Sequence, residues 1–306
     1  MGLFNWFRRS SQDQRESGDN SMRWSWFGGR RILRFGSYIF PKDAAEGDRL
    51  DLQHHLLKLS LGGNYRAPVR QPRAILDVAC GTGIWCRELA QEFPNAQVTG
   101  FDIDSTPMDS SRKRLGPSGQ FPANFHFLEA NALKPFPFED ASFDFTHARL
   151  LAGFLPIKQW PAVLAEMARV TRPGGYIELV ENELPISPSP AFNFLVGVSL
   201  QMLRKYGLYE GAGPHLIEHL RQAGLERVQQ RRVVLGTGRF ASRQQRLMIT
   251  DLVAGAENFQ PVAIRAGLVE EDKYSAALAQ DRDELTKMGV TWAYTCAYGM
   301  KPLARK

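Results

Sequence analysis

The sequence predicts an α/β fold in which helices cover both faces of a mostly parallel, doubly wound sheet. Five short apolar runs, bounded by glycine, proline or charged residues, alternate with segments whose apolar residues recur at helical spacing. Such alternation is typical of parallel strands joined by crossover helices. Two more strand-like runs, at 228–235 and 291–298, follow near the end of the chain.

The first strand is predicted at residues 74–78, where the run AILDV leads into the turn ACGTG. Residues 84–93 after this turn have apolar positions at helical spacing. Glycine carries no side chain, so a ligand can approach the backbone of the turn closely. The free N–H groups at the start of the helix face the same space. This arrangement predicts a nucleotide-type binding loop.

Details of the loop narrow the class of ligand. Gly81 and Gly83 fill the first two places of the dinucleotide fingerprint, but Cys86 stands where the third glycine is needed. A phosphate-binding P-loop is also excluded, because no lysine follows Gly83. Asp77 precedes the glycines. A carboxylate there would repel a pyrophosphate, whereas it suits a ligand that carries an ammonium group.

The other strands of the sheet are predicted at 98–102, 125–130, 143–148 and 176–180. Asp102 ends the second strand, and an acid at about this distance beyond the glycines accepts hydrogen bonds from ribose hydroxyls. Helices are predicted at 163–170, where RPGG stops the helix, and at 192–206 and 214–223. Residues 243–288 are mostly helical in pattern.

Four motifs carry a resemblance to a known family: DVACGTG, VTGFDID, EANALKPFPFEDASFDF and RVTRPGGYIELVE. Their order resembles that of class I S-adenosylmethionine (SAM) methyltransferases of the ubiquinone/menaquinone type, over about residues 74–181. The resemblance implies a Rossmann-like sheet of seven strands with an antiparallel last strand, helical additions, and SAM as the cofactor.

A second resemblance lies upstream, where Tyr38-x-x-Pro41-x-Asp43 precedes RLDLQHHLLKLSLGGNYRAPV. This segment is similar to the N-terminal part of LaeA-like methyltransferases, a group tied to secondary metabolism in fungi. It implies that a helix over 44–61 covers the SAM pocket. The implied cofactor site consists of Asp77, Ala79, Gly81, Thr82, Gly83, Asp102, Ile103, Asn131, Ala132 and His147, with Tyr38 and His54 from the upstream segment.

Purely structural roles compete with these assignments. Asp102 could cap a helix, because serine and aspartate follow it. Asp77 could cap local N–H groups, and Asn131 could be a turn residue although its carbonyl oxygen can also accept from the adenine amino group. His54 could be an ordinary surface residue of an amphipathic helix. His147, at the end of the fourth strand, is expected as a packed or lining residue more than as a general base.

Two classes of function remain. The first is an enzyme that transfers the SAM methyl group to a small molecule, with His147, His54 and Glu181 as candidate bases and no catalytic residue assigned. The second is a SAM-binding regulator or a protein-directed methyltransferase. A nucleic-acid partner is not expected, because residues 146–149 read THAR where the amino-methyltransferases of nucleic acids carry an Asn/Asp-Pro-Pro-Tyr/Phe motif.

Composition and charge suggest how the 306-residue chain is organised. We expect a flexible basic and aromatic tail at 1–30, a helical cap at 31–70, and a SAM-binding domain at 71–306 with a helical insertion at about 240–288. Residues 1–35 carry seven arginines and three acids, a net +4 of the chain's +6. With its tryptophans and phenylalanines, the tail predicts a weak membrane-surface contact or a plain flexible end.

The cysteines and histidines indicate whether disulfides or a metal site are expected. Three cysteines, at positions 80, 86 and 296, form no disulfide framework and suit a reducing cytosol, so we expect a cytoplasmic protein. No metal site is expected, because His54 and His55 are neighbours that point about 100° apart on a helix.

Overall fold

The computed structural model describes residues 24–27, 29–33, 40–115, 121–236 and 242–304. A hairpin of β1 (Trp24–Phe27) and β2 (Arg30–Leu33) comes first. The main sheet then takes β3 (Ala74–Val78), β4 (Gln97–Asp102), β5 (Phe125–Glu129), β6 (Phe143–Arg149), β7 (Thr171–Asn182), β8 (Glu226–Gly236) and β9 (Thr291–Met300). Tyr38 and the first 23 residues of the tail lie outside the described residues.

The seven strands are ordered β5-β4-β3-β6-β7-β9-β8. Strand β9 runs antiparallel to both of its neighbours, whereas the pairs among β3 to β7 are parallel. The strand order reverses between β4 and β6, on either side of β3. Ligands of open α/β sheets bind in the crevice at such a switch point, outside the carboxyl ends of the strands. The predicted fold class is confirmed.

Eight α-helices occur in the described part of the chain. They are α1 (Ala44–Leu61), α2 (Ile84–Glu92), α3 (Thr106–Leu115), α4 (Trp160–Val170), α5 (Pro190–Tyr206), α6 (Leu216–Gln222), α7 (Arg243–Arg265) and α8 (Glu271–Met288). Helix α1 has the predicted bounds because Asp43 caps its start, accepting from Glu46 N, and Gly62 ends it at φ 76°. Helices α1, α5, α7 and α8 pack on one another and form a helical layer.

Several boundaries differ from the sequence prediction, and two of the differences have identifiable reasons. Helix α4 starts at Trp160 rather than at residue 163. Pro161 is tolerated in its first turn, because the N–H that proline lacks would have no partner within the helix. Strand β7 starts at Thr171, although RPGG predicted a turn there. Gly174 N donates to Lys301 O (2.8 Å) and Lys301 N to Gly175 O (2.9 Å), so the backbone of the turn pairs with the chain after β9.

The hydrophobic core lies on both faces of the sheet. All five residues of β3 are buried, as expected for a central parallel strand. One face packs against α4 and α6, with Trp160 fully buried, and the other packs against α2, with Trp85 nearly so. The hairpin β1–β2 spans the predicted boundary between tail and cap, and the sequence analysis did not anticipate it.

Candidate functional site

The loop between β3 and α2 has an unusual backbone. Ala79, Gly81 and Gly83 have φ values of 57°, 57° and 72°. Glycine adopts such angles freely, whereas Ala79 holds a strained conformation. Cys80 N donates to Phe101 O at 2.9 Å and ties the loop to β4. Since no described side chain caps α2 at Gly83, the first N–H groups of this helix face the loop.

The Asp102 carboxylate is buried beside this loop at the end of β4. Gly81 N–H donates to Asp102 Oδ2 at 3.0 Å, and Lys42 Nζ donates to Oδ1 at 3.0 Å. Asp104 N also donates to Oδ1 at 3.4 Å, so it is Oδ2, with one donor for its two lone pairs, that keeps acceptor capacity for a ribose hydroxyl. At the start of α3, Thr106 N donates to Asp104 rather than to Asp102, so Asp102 is not the helix cap.

Asp77 lies behind the loop rather than in the cavity wall. Asp77 Oδ1 is 2.8 Å from His147 Nδ1, and both side chains are buried. Cys86 Sγ lies 3.5 Å from Asp77 Oδ2. The His147 ring stacks on Trp85 at a centroid distance of 4.0 Å, and His147 Nε2 has no hydrogen-bond partner among the described residues. His147 is therefore a packed partner of Asp77, and its ring does not line the large cavity.

A cavity of about 290 Å³ lies between the carboxyl ends of the strands and the helical layer. Five of the predicted site residues line it: His54, Ala79, Gly81, Thr82 and Asp102. Away from the loop the wall becomes apolar, through side chains of the segments after β6 and β7 and of α5, α7 and β9: Leu150, Phe154, Leu184, Phe192, Leu195, Val196, Leu200, Leu203, Leu252, Phe259 and Trp292. The cavity thus has a polar half at the glycine loop and an apolar half under the helices.

Four other predicted residues do not line this cavity. Gly83 packs so closely that an added Cβ would lie 3.2 Å from the Phe125 ring. The Asn131 side chain serves a local turn, because its Oδ1 accepts from Leu133 N at 2.9 Å. Ile103 and Ala132 are partly buried outside the cavity wall. A contact of Asn131 with adenine stays a prediction.

A chain of polar side chains starts at His54, which is buried rather than on the surface. Arg149 Nη1 lies 2.9 Å from His54 Nδ1, and His54 Nε2 lies 3.2 Å from Glu88 Oε2. Lys58 Nζ donates to the same Glu88 oxygen at 2.6 Å. Burial, together with the positive charge of Arg149, lowers the pKa of His54 to about 4, so the ring is neutral at physiological pH.

The geometry around His54 corrects the argument against a metal site. Donor atoms of His54, His55 and Glu88 all lie within 4.8 Å of one another, despite the 100° between neighbouring helical residues. The cationic groups of Lys58 and Arg149 contact the same side chains. These positive charges repel a bound cation. The expectation that no metal binds therefore rests on the nearby positive charge and not on the directions of the two histidine side chains.

Glu181, a candidate base, also lies outside the cavity wall. It accepts hydrogen bonds from Leu151 N at 2.5 Å and from Ala152 N at 3.4 Å. Burial raises its pKa to about 8. The carboxyl group therefore anchors the turn after β6 and does not face an acceptor.

A buried ionic network joins α1 to α7 at the cavity wall. Arg49 forms ion pairs with Glu46 at 2.7 Å and with Asp251 at 2.8 Å. Gln53 donates to the second Asp251 oxygen, and Asn258 donates to Glu46. Since these helices are about 200 residues apart in the chain, the network holds α1 over the site.

Sequence reasoning missed two cationic residues of the site, Lys42 and Arg149. Arg149 had a usable signal, because it directly follows the predicted strand at 143–148, at the carboxyl end where ligands of such sheets bind. Lys42 had none, since its role depends on how the segment before α1 folds back onto β4.

Comparisons with known proteins give the class. Residues 75–175 match the family described as a methyltransferase domain. The chain is 28% identical to the methyltransferase pytC of Aspergillus terreus, over 78% of this chain and 74% of that protein. It is 28% identical to the N-methyltransferase tcpN of Claviceps purpurea, covering 84% and 94%. It is 31% identical to the secondary metabolism regulator LAE1 of Cochliobolus heterostrophus, covering 52% of this chain and about half (49%) of that protein.

A solved structure shares the fold. A phosphoethanolamine N-methyltransferase 2 of Haemonchus contortus, in complex with phosphomonomethylethanolamine and S-adenosylhomocysteine, superposes with a TM-score of 0.50. The identity is 16%, over 89% of this chain and 62% of that chain, so the likeness concerns the fold alone. Together, the fold, the glycine loop with Asp102, the family match over residues 75–175 and these relatives support a class I SAM-dependent methyltransferase.

Proposed function

We propose that this chain transfers the methyl group of SAM to a small, largely apolar molecule held in the helical half of the cavity. The observation that carries the proposal is the two-part cavity. One wall contains the glycine loop and Asp102, and the other contains eleven apolar side chains. Pockets for small molecules are mostly apolar with a few placed polar groups, and this cavity has that character.

The residues of the polar half fit SAM. The buried Asp102 carboxylate suits the ribose hydroxyls, and the positive-φ backbone at Gly81 allows close approach of the methionine part. When bound, SAM supplies an activated methyl group on a sulfonium that leaves readily. The chain then needs to hold the acceptor in line and to exclude water. Alignment of this kind accounts for about 7–11 kcal/mol of barrier lowering in favourable cases.

A general base is not part of this proposal. Of the three candidates, His147 and Glu181 lie outside the cavity wall. His54 lines the wall, but Arg149 occupies its Nδ1 and its pKa of about 4 makes it a weak base. We infer that the acceptor is either nucleophilic as bound, such as a neutral amine, or loses its proton to water.

The experiment that tests this proposal follows a labelled methyl group. Purified protein is incubated with a fungal small-molecule extract, a protein fraction and [methyl-¹³C]SAM, and both fractions are examined by mass spectrometry. The proposal expects label in molecules of low mass. Label confined to the protein fraction would instead support the second candidate, a protein-directed or regulatory methyltransferase. The similarity to LAE1 is what favours that alternative.

We also propose that the chain works in the cytoplasm, with its basic aromatic N-terminus touching anionic membrane surfaces. The arginine excess of residues 1–35 supports this. No described helix is both long enough and apolar enough to span a bilayer. Co-sedimentation with anionic vesicles tests the contact: full-length protein should bind at low salt and be released as salt rises. A variant without residues 1–21 should stay unbound. Equal sedimentation of both forms would rule out the membrane contact of the N-terminus.

A further inference from the structure

Arg149 lies where the amino-acid end of a SAM molecule would be. In the sheet, Val78 of β3 is paired with Ala148 of β6, so Arg149 stands beside Ala79, the first residue of the glycine loop. Asp102 lies on β4, on the opposite side of β3. A ligand with its ribose at Asp102 that crosses the loop therefore brings its other end next to β6.

The guanidinium of Arg149 contacts no carboxylate in the described part of the chain. Its bonded partner among the described residues is the neutral ring of His54, at 2.9 Å, and no described carboxylate forms an ion pair with it. Arg49, which lines the same cavity, is paired with both Glu46 and Asp251. Burial lowers the pKa of Arg149. The carboxylates of Asp77, Asp51 and Glu88 attract this guanidinium without contacting it. A ligand carboxylate in direct contact would stabilise the half-buried cation further.

His54 fixes the direction of this guanidinium. Arginine only donates hydrogen bonds, so His54 Nδ1 must accept and the ring proton must sit on Nε2, which faces Glu88 at 3.2 Å. Glu88 is held in turn by Lys58. Since His54 stays neutral at physiological pH, its Nδ1 lone pair is always available to Arg149.

We propose that Arg149 is a carboxylate-binding residue of the cavity, with His54 as its positioning residue. The carboxylate is that of the methionine part of SAM, because Arg149 adjoins the glycine loop rather than the apolar wall. Planar guanidinium groups bind carboxylates through two parallel hydrogen bonds. This inference rests on the proposed binding of SAM in the polar half.

The test compares SAM with decarboxylated SAM, which lacks only this carboxylate, by calorimetric titration. Arg149→Met should weaken binding of SAM by about 10- to 150-fold, the loss expected for a hydrogen bond to a charged group. It should change the affinity for decarboxylated SAM much less. Arg149→Lys keeps the positive charge but cannot form two parallel hydrogen bonds. Its affinity for SAM should therefore lie between those of wild type and Arg149→Met. Arg221→Met, on the exposed face of α6, is the matched control and should change neither affinity.

His54 variants test the positioning role. His54→Leu removes the acceptor for Arg149 and should reduce discrimination between SAM and decarboxylated SAM, whereas His54→Gln retains an acceptor and should restore part of it. Thermal unfolding identifies variants that do not fold. If the other variants do not fold, the comparison of SAM with decarboxylated SAM is made with Arg149→Lys. Equal discrimination in wild type and both Arg149 variants would overturn the inference while leaving SAM binding intact. A wild-type protein that binds neither SAM nor S-adenosylhomocysteine would instead overturn the proposed function.

Discussion

At the scale of single residues, Asp102 and Lys42 carry opposite charges in a buried pair at the ribose position. Asp102→Ala should weaken SAM binding about 10- to 150-fold, because a charged acceptor is lost. It should also destabilise the fold, since the buried Lys42 loses its carboxylate partner at 3.0 Å. The double variant Lys42→Met/Asp102→Ala should recover stability and not affinity. Calorimetric titration and urea unfolding measure the two effects, with exposed Asp140→Ala as the control.

Recovery of affinity in that double variant would contradict a direct role of Asp102. It would mean that the single substitution acted only through the lost ion pair of Lys42.

Glu181 gives a pH-dependent prediction. Burial raises its pKa from 4.5 to about 8, so the folded chain retains a proton that the unfolded chain has lost between these values. Its contribution to stability is full below pH 4.5 and is lost as pH rises through 8. Glu181→Gln cannot ionise, so its melting temperature should fall less than that of wild type between pH 6 and pH 9. Parallel curves in scanning calorimetry would show that Glu181 does not titrate in this range.

The residues that sequence reasoning located are those whose role depends on the local backbone. Gly81 and Asp102 follow directly from a strand end and a glycine turn. Asp77 looked equivalent by spacing, yet its partner His147 comes from a strand 70 residues away, and only the parallel register of β3 and β6 brings them together.

At the scale of elements, the glycine loop depends on close packing between β4 and α2. An added Cβ at Gly100 would lie 2.8 Å from Cys86 Sγ and 2.9 Å from Cys80 Sγ. Gly100→Ala should therefore displace the loop, cost about 1–3 kcal/mol of unfolding free energy, and weaken SAM binding. Adding Cys80→Ala should restore part of the lost stability and part of the lost SAM affinity. Gly197→Ala, where a Cβ meets nothing within 4 Å, is the control and should not destabilise.

An unchanged urea midpoint for Gly100→Ala would show that the sulfur atoms can move without disturbing the loop. If the urea midpoint fell while SAM affinity was retained, the packing of β4 could be weakened without a change in the shape of the binding loop.

The attachment of α1 to α7 gives the second prediction at this scale. Arg49→Met leaves the buried carboxylates of Glu46 and Asp251 without their cation and should destabilise the chain by about 3–5 kcal/mol in urea unfolding. The exposed pair of Lys287 and Asp283 offers the control, because Lys287→Met should change stability by less than about 1 kcal/mol. A comparable effect of the two substitutions would rule out a special role of the network.

Strands and helices of the sheet were predictable because each has its own periodicity and its own breakers. The start of β7 was not, since the chain after β9 supplies the partners that turn a proline–glycine segment into a strand. The hairpin β1–β2 has a sequence signal that was overlooked, because two glycines, a typical hairpin turn, separate the runs WSWF and RRIL.

At the scale of the whole molecule, the cavity is assembled from widely separated parts of the chain. The polar half comes mostly from residues 79–102, within the matched methyltransferase domain. The apolar half comes mainly from the segments after β6, which sequence analysis could describe as helical but could not place. Cofactor binding was therefore readable from the sequence, whereas the acceptor wall required the tertiary structure.

The central claim is that the glycine loop and Asp102 form a SAM site, and a calorimetric titration of the wild-type chain tests it most directly. SAM and S-adenosylhomocysteine should each bind with micromolar affinity and one-to-one stoichiometry, while NADH should give no binding heat, because Cys86 replaces the third glycine of a dinucleotide loop. Binding of NADH without binding of SAM or S-adenosylhomocysteine would contradict the assignment.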